Sequence, residues 1–123
     1  MSLGDVHAFC DLSVDARFLT IGFRLVDTRD IGGVAHRRTY VRPGERFEAD
    51  FYVEVTDPSV LGIKLRPAGS SPYGGSYVRR ILNAIPPPSL SYGASLTDED
   101  LDLQFRWEFD LMMRSLDQLR SCF

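Results

Sequence analysis

Residues 46–55, RFEADFYVEV, constrain the fold more than any other stretch of the chain. Phe47, Ala49, Phe51, Val53 and Val55 alternate with Arg46, Glu48, Asp50, Tyr52 and Glu54. A period of two puts the first set on one side of a strand and the second on the other, the pattern of a sheet with one covered face. Just before it stands Arg42-Pro43-Gly44-Glu45. Proline presets φ at the first central position of a turn and glycine accepts the left-handed conformation at the second. Residues 34–41 are therefore expected to run antiparallel to 46–55.

The same reasoning extends the sheet in both directions. Cys10, Leu12, Val14 and Ala16 alternate with polar neighbours, and the alternation resumes one residue out of step at Leu19, Ile21, Phe23 and Leu25. A bulge or bend at Arg17 and Phe18 accounts for the slip. TRDIGG then supplies a turn, with Gly32 and Gly33 free to take positive φ. After ThrAspProSer at 56–59, Leu61, Ile63 and Leu65 alternate with Lys64 and Arg66. The expected architecture is α+β, a five-stranded antiparallel meander over 8–66, forming a sheet or half-barrel, with a C-terminal helix packed across it.

Residues 67–76, PAGSSPYGGS, read as a loop, and 77–85 as a short helix with Tyr77, Ile81 and Leu82 or Ile85 on one side. Pro86-Pro87-Pro88 must end that helix and continue as an extended spacer, although PPPSL is also the kind of segment an SH3-like groove accepts. The last segment fits two periods. Leu101, Leu103, Phe105, Trp107, Phe109 and Leu111 alternate as a strand would, whereas Leu101, Phe105, Phe109, Met112, Leu116, Leu119 and Phe123 step by four and three as a helix would. Thr97 as N-cap, Asp98 to Asp100 on the positive helix end, and Leu96 stapled to Leu101 favour a helix over 97–121. The alternative is a strand to 110 followed by a short helix. If the helix forms, Leu103, Trp107 and Leu111 make a second apolar stripe away from the sheet, which a partner would cover.

The chain has 123 residues, enough for one domain with its own core, divided here into a β-rich part at 8–66, a loop and short helix at 67–88, and the helical segment at 97–121. Hydrophobic residues make up 44% and charged residues 25%, the balance of a soluble globular protein. No apolar run reaches the length of a membrane span, and the first residues have neither the basic nor the apolar region of a signal peptide. Two cysteines, Cys10 and Cys122, are too few for a disulfide framework, so a reducing, cytoplasmic setting is expected. The net charge of −3 argues against a general nucleic-acid coat. Its distribution is uneven: 67–96 carries Arg79 and Arg80 and no acid, whereas 97–123 carries seven acids against three arginines.

Catalytic chemistry finds little support. His7 and His36 are the only histidines and neither adjoins a nucleophile motif. His7-x-x-Cys10 is half a metal site with no second pair spaced to complete it, so no metal and no cofactor is expected. Asp98, Glu99, Asp100 and Asp102 are explained by the helix dipole. Arginine offers more. Arg37, Arg38, Arg42 and Arg46 gather with His36 and Tyr40 around the Pro-Gly turn, and Gly74-Gly75-Ser76 leads into a helix carrying Arg79 and Arg80. Both are arrangements that can hold an anion. Cross-strand pairing of Arg37 with Asp50 or Glu48 is the competing explanation.

Arg38-Thr-Tyr-Val-Arg42 followed by Asp57-Pro-Ser59-Val-Leu-Gly62 resembles the R-x-x-x-R and D-x-S-x-x-G motifs of PilZ domains, over about 25 residues. The resemblance implies cyclic-di-GMP binding, with Arg38 and Arg42 on phosphates and guanines and Asp57 and Ser59 on guanine. Arg37, Arg38, Arg42 and Tyr40 could also serve single-stranded RNA.

The expected function is non-enzymatic: an oligomerising interaction or assembly module, such as an adaptor, a chaperone-like protein or a viral or phage accessory protein. Its partner would be a second copy or another protein, met through Leu103, Trp107 and Leu111. The rival is a sensor of an anionic ligand at Arg38, Arg42, Asp57, Ser59, Arg79 and Arg80.

Overall fold

A computed structural model describes residues 1–85 and 96–123. The chain starts with α1 (Leu3–Phe9), a π-turn (Cys10–Val14) and α2 (Asp15–Thr20). It continues through β1 (Arg24–Ile31), β2 (Ala35–Val41), β3 (Phe47–Glu54), a 3-10 turn (Pro58–Val60), β4 (Gly62–Pro67) and β5 (Ser76–Tyr77). Helices α3 (Val78–Ile81), α4 (Asp98–Arg114) and α5 (Leu116–Arg120) complete it. The strands form one antiparallel sheet in the order β1-β2-β3-β4-β5, not closed into a barrel. The proline run at 86–88 and the PPPSL segment lie outside the described residues.

The expected α+β class and five-strand count hold, but two of the strands are different ones. Residues 8–16 and 19–25 were expected to pair in the sheet; instead 3–20 is helical. The reason is visible in Val6, Cys10, Val14 and Phe18, all fully buried and each four residues from the next. An α-helix turns once in 3.6 residues, so each step of four overshoots by about 40°. The π-turn, with its wider winding, takes up that drift and keeps the stripe on the core. Leu12, which a strand would have buried beside Cys10, is 81% exposed. Ser2 and Asp5 form a reciprocal cap that starts the helix. The apparent period of two came from Leu12 and Ala16, apolar residues that fall between the stripe positions and outside the core.

The expected turn at TRDIGG shrinks to its two glycines, Gly32 at φ +61° and Gly33 at φ +73°. Before them β1 runs through Arg24–Ile31 with a bulge between Leu25 and Asp27. It shows no hydrophobic alternation because it is an edge strand, mostly exposed along its length. β5, made of the last residue of the expected loop and the first of the expected helix, pairs Lys64 with Tyr77 and Leu65 with Ser76. The helix expected over 77–85 is the short α3, stopped at Leu82 before Asn83 takes a positive φ.

The register makes the two sheet faces different. Arg38 lies opposite Phe51, and Phe51 opposite Ile63, on the face covered by the helices. Tyr40 stacks on Phe18 at 4.1 Å, Phe18 meets Phe109 edge-on at 5.3 Å, and Phe51 meets Phe105 at 5.2 Å. Helix α4 forms as its cap predicts: Thr97 accepts the Asp100 amide and Asp100 returns to the Thr97 amide. Leu101, Phe105, Phe109 and Met112 fill the core, which excludes the strand alternative.

Just before β4, beyond the reach of the two-residue β5, side chains take over the edge. Arg79 Nη1 donates to the Leu61 carbonyl at 2.8 Å and pairs with Glu108 Oε2 at 2.9 Å, while Glu108 Oε1 accepts the Arg79 amide at 3.4 Å. Gln104 Nε2 donates to Glu108 as well. Both members of the pair are buried. A Cβ on Gly62 would overlap Arg79 Nη1 and Glu108 Oε2, so the pair fits only over a glycine. Removing one partner of such a pair leaves a buried charge uncompensated. Arg79→Met should lower unfolding free energy in urea by about 3–5 kcal/mol, and adding Glu108→Met should return most of that loss. Gly62→Ala should be destabilising in the same direction.

The C-terminus is tied down by a second pair. Arg120 donates to Glu45 at 3.1 Å, and Glu45 also accepts from Arg42 at 2.7 Å and from the Arg46 amide. Burial would raise the Glu45 carboxyl, but these donors and the two arginine charges hold it below its ordinary value of 4.5. The unfolded chain therefore binds the proton first on acidification, and the stability that Glu45 contributes above pH 4.5 is lost as pH falls through the lower folded value. Thermal melts between pH 6 and pH 3 should show Glu45→Gln with a shallower acid slope than the parent chain.

Candidate functional site

Of the residues singled out for anion binding, most have partners within the chain. Arg38 donates through Nε to His36 Nε2 at 2.9 Å and through Nη1 to Asp11 and Asp15, both at 2.8 Å. Its Nη2 reaches the His7 carbonyl. Arg42 is held by Glu45, by the Ile21 carbonyl and over the Phe23 ring. Asp57 caps its own 3-10 turn by accepting the Ser59 amide and hydroxyl. Arg79 belongs to the β4 edge just described, and the glycine-rich approach at 74–76 ends in a helix of four residues. Arg80 is exposed, with its guanidinium over the Tyr77 ring at 5.5 Å.

Arg42 and Asp57, of the two motifs that resemble PilZ, lie at opposite ends of the sheet, with Arg38 midway along β2. Arg42 follows the last residue of β2, whereas Asp57 follows the end of β3, whose Glu54 lies opposite Ala35. Seven residues of strand, on the order of 23 Å, separate those ends. The glycine of D-x-S-x-x-G, Gly62, is explained by the Arg79–Glu108 pair above it.

The apolar stripe on α4 divides. Leu103 is 42% exposed, Trp107 is half-buried, and Leu111 packs against the core.

The outer face of the sheet carries a polar group that the sequence reading took for ordinary cross-strand pairs. Arg37 and Thr39 on β2, Glu48, Asp50 and Tyr52 on β3, and Lys64 and Arg66 on β4 alternate with the core residues and so share this face. Asp50 and Glu48 were the expected partners of Arg37, but Arg66 takes both, at 2.7 and 3.0 Å. Thr39 completes Asp50 at 2.6 Å. Arg37 is left with long contacts only: Asp27 at 3.4 Å and the Pro72 carbonyl at 3.5 Å. It is 4% exposed, and its Nε has no hydrogen-bond partner among the described residues.

Beside it the loop carrying Pro72 and Tyr73 folds over the sheet and encloses a cleft of about 210 Å³ lined by Arg37, Lys64, Tyr52, Asp50, Ile31 and Tyr73. The Lys64 ammonium sits 4.9 Å from the Tyr52 ring centre and 5.0 Å from that of Tyr77, with no ion pair among the described residues. Burial lowers its pKa, opposed by the Asp50 charge. Tyr73 stands at the mouth, 77% exposed, with Arg37 5.6 Å from its ring centre. Two cations thus border one small cavity whose lining acid, Asp50, is already paired with Arg66. The available signal in the sequence was Arg37 itself, within the cluster at 36–46, but only the structure shows that Arg66 takes its expected partners.

Cys10 is buried and its thiol is pushed up to about 12 by desolvation, so it is not a nucleophile at neutral pH. Among the described residues no helix is long and apolar enough to cross a membrane. No protein-family model, curated protein or solved structure matches the chain.

Proposed function

We propose that the protein is a non-enzymatic binding module whose outer-face cleft holds a small organic anion. The observation that carries this reading is the Arg37 guanidinium, buried yet short of donors' partners, facing a cavity that it shares with Lys64. A buried arginine lacking full hydrogen bonding is costly, and an anion entering the cleft supplies the missing acceptor. The cavity is below the roughly 300–1,000 Å³ of sites for drug-sized ligands. A cyclic dinucleotide is therefore too large, and a carboxylate or phosphate carrying one ring is the better fit, its ring against Tyr52 and Tyr73.

Phenyl phosphate, benzoate and inorganic phosphate, titrated calorimetrically, test the reading. The aryl anions should bind with a dissociation constant on the order of 1 mM or tighter. Binding should weaken with Arg37→Gln and with Lys64→Gln while the thermal transition of each variant is retained. Equal affinity for the three anions, or affinity unchanged in both variants, would count against it.

Self-assembly is the second reading, favoured by Leu103, which is exposed on a helix whose opposite side fills the core. It gives a concentration-dependent mass in light scattering that falls to the monomer value in Leu103→Ser with Trp107→Ser. A monomer at every concentration in the parent chain would remove it.

A further inference from the structure

On the other face of the sheet, where α1 crosses the β1–β2 hairpin, His7, Asp30 and His36 come together. His7 Nε2 and His36 Nδ1 each lie 2.8 Å from the same oxygen, Asp30 Oδ1. The three ligand atoms all fall within 4.8 Å of one another. The two imidazole rings are 4.3 Å apart, centre to centre. We propose that these residues form a binding site for a divalent transition-metal ion, zinc foremost. The site is separate from the anion cleft and does not depend on it.

Four features of the cluster support the assignment. Two imidazoles and one carboxylate are a donor set that suits zinc, cobalt, nickel or copper and disfavours magnesium and calcium, which prefer oxygen. Three protein ligands leave the remaining position of a zinc ion to water or another ligand. The surrounding charge is negative, since Asp11, Asp15 and Asp30 outnumber Arg38. Access is open, because His7 and Asp30 are both partly exposed while His36, buried beneath them, is the fixed member.

Arg38 sets the protonation state that the ion must change. Its Nε–H donates to His36 Nε2, so a neutral His36 carries its proton on Nδ1 and donates it to Asp30. To bind metal through Nδ1, His36 must instead carry the proton on Nε2. Arg38 then gives up that one hydrogen bond and keeps Asp11, Asp15 and the His7 carbonyl. His7 likewise moves its proton to the other ring nitrogen. The ion replaces two N–H···O bonds to Asp30 with three coordinate bonds of about 2.0–2.2 Å, which closes the cluster around it. Cys10, three residues after His7, is no rival ligand because it lies in the core.

The test is zinc titrated into tag-free protein on a Cys122→Ser background, which removes the exposed thiol. Calorimetry should give one ion per chain, and zinc should raise the thermal transition. His7→Ala, at a partly exposed position, should weaken uptake by about tenfold or more and abolish the thermal shift, with Asp30→Asn acting in the same direction. Cobalt should develop visible absorption bands that both substitutions remove, and magnesium should give no response. Absence of one-to-one zinc uptake in the parent chain, or uptake unchanged in both variants, would overturn the assignment.

Discussion

The buried pair of Arg79 and Glu108 is the interaction on which the rest of the arrangement depends. A strand edge left without a neighbour has amides and carbonyls that need partners. β5 is too short to supply them all, and Arg79 does so at the Leu61 and Ser59 carbonyls while Glu108 holds its guanidinium in place. In the same stroke α3 is fixed to β4 and α4 is fixed in rotation, because Glu108 can reach the edge only when Phe105 and Phe109 point into the core. The ion pair adds specificity where apolar packing alone would allow α4 to roll.

The alternation of β2, β3 and β4 then divides the chemistry. One face gives its side chains to aromatic packing against α1, α2 and α4. The other keeps arginine, lysine, tyrosine and carboxylate in a shared layer, most of it mutually satisfied. What distinguishes Arg37 from Arg38 is not residue type or neighbourhood in sequence but parity: adjacent positions on one strand meet opposite surroundings. Arg38 is enclosed by α1 and α2 with two carboxylates, whereas Arg37 meets a loop carbonyl and an edge-strand aspartate at the limit of hydrogen bonding.

Residues 46–55, the Pro-Gly turn and the cap at Thr97 were legible from sequence because each is a local signal: a period, a turn dipeptide, a side chain reaching its own helix. The first twenty residues misled because Cys10, Val14 and Ala16 fit a strand and a helix alike, and the burial of Val6 and Phe18 that separates the two depends on tertiary packing. β1 was missed for the opposite reason, since an exposed edge strand buries nothing and shows no apolar period. The candidate sites were the least legible. Arg37 was visible only as one of four arginines, and His7 lacked partners until the fold brought Asp30 and His36 to it from 23 and 29 positions away. The D-x-S-x-x-G spacing owes its aspartate to a turn and its glycine to an ion pair, so a ligand is not required to explain it.

An open sheet can lengthen at either side by accepting a strand from another molecule, and the two sides of this one resist that differently. At the other side the two-residue β5 covers part of β4, and just before β4 the Ser59, Val60 and Leu61 carbonyls already accept from Arg79 and Tyr77. At β1 no further strand pairs among the described residues, but the bulge between Leu25 and Asp27 breaks the straight row of donors and acceptors that an incoming strand would need. Arg24, Asp27, Arg29 and Asp30 would each have to shed water to let such a strand approach. The strand that contributed least to the hydrophobic pattern thus carries two features, a bulge and a charged exposed edge, that oppose the addition of a further strand.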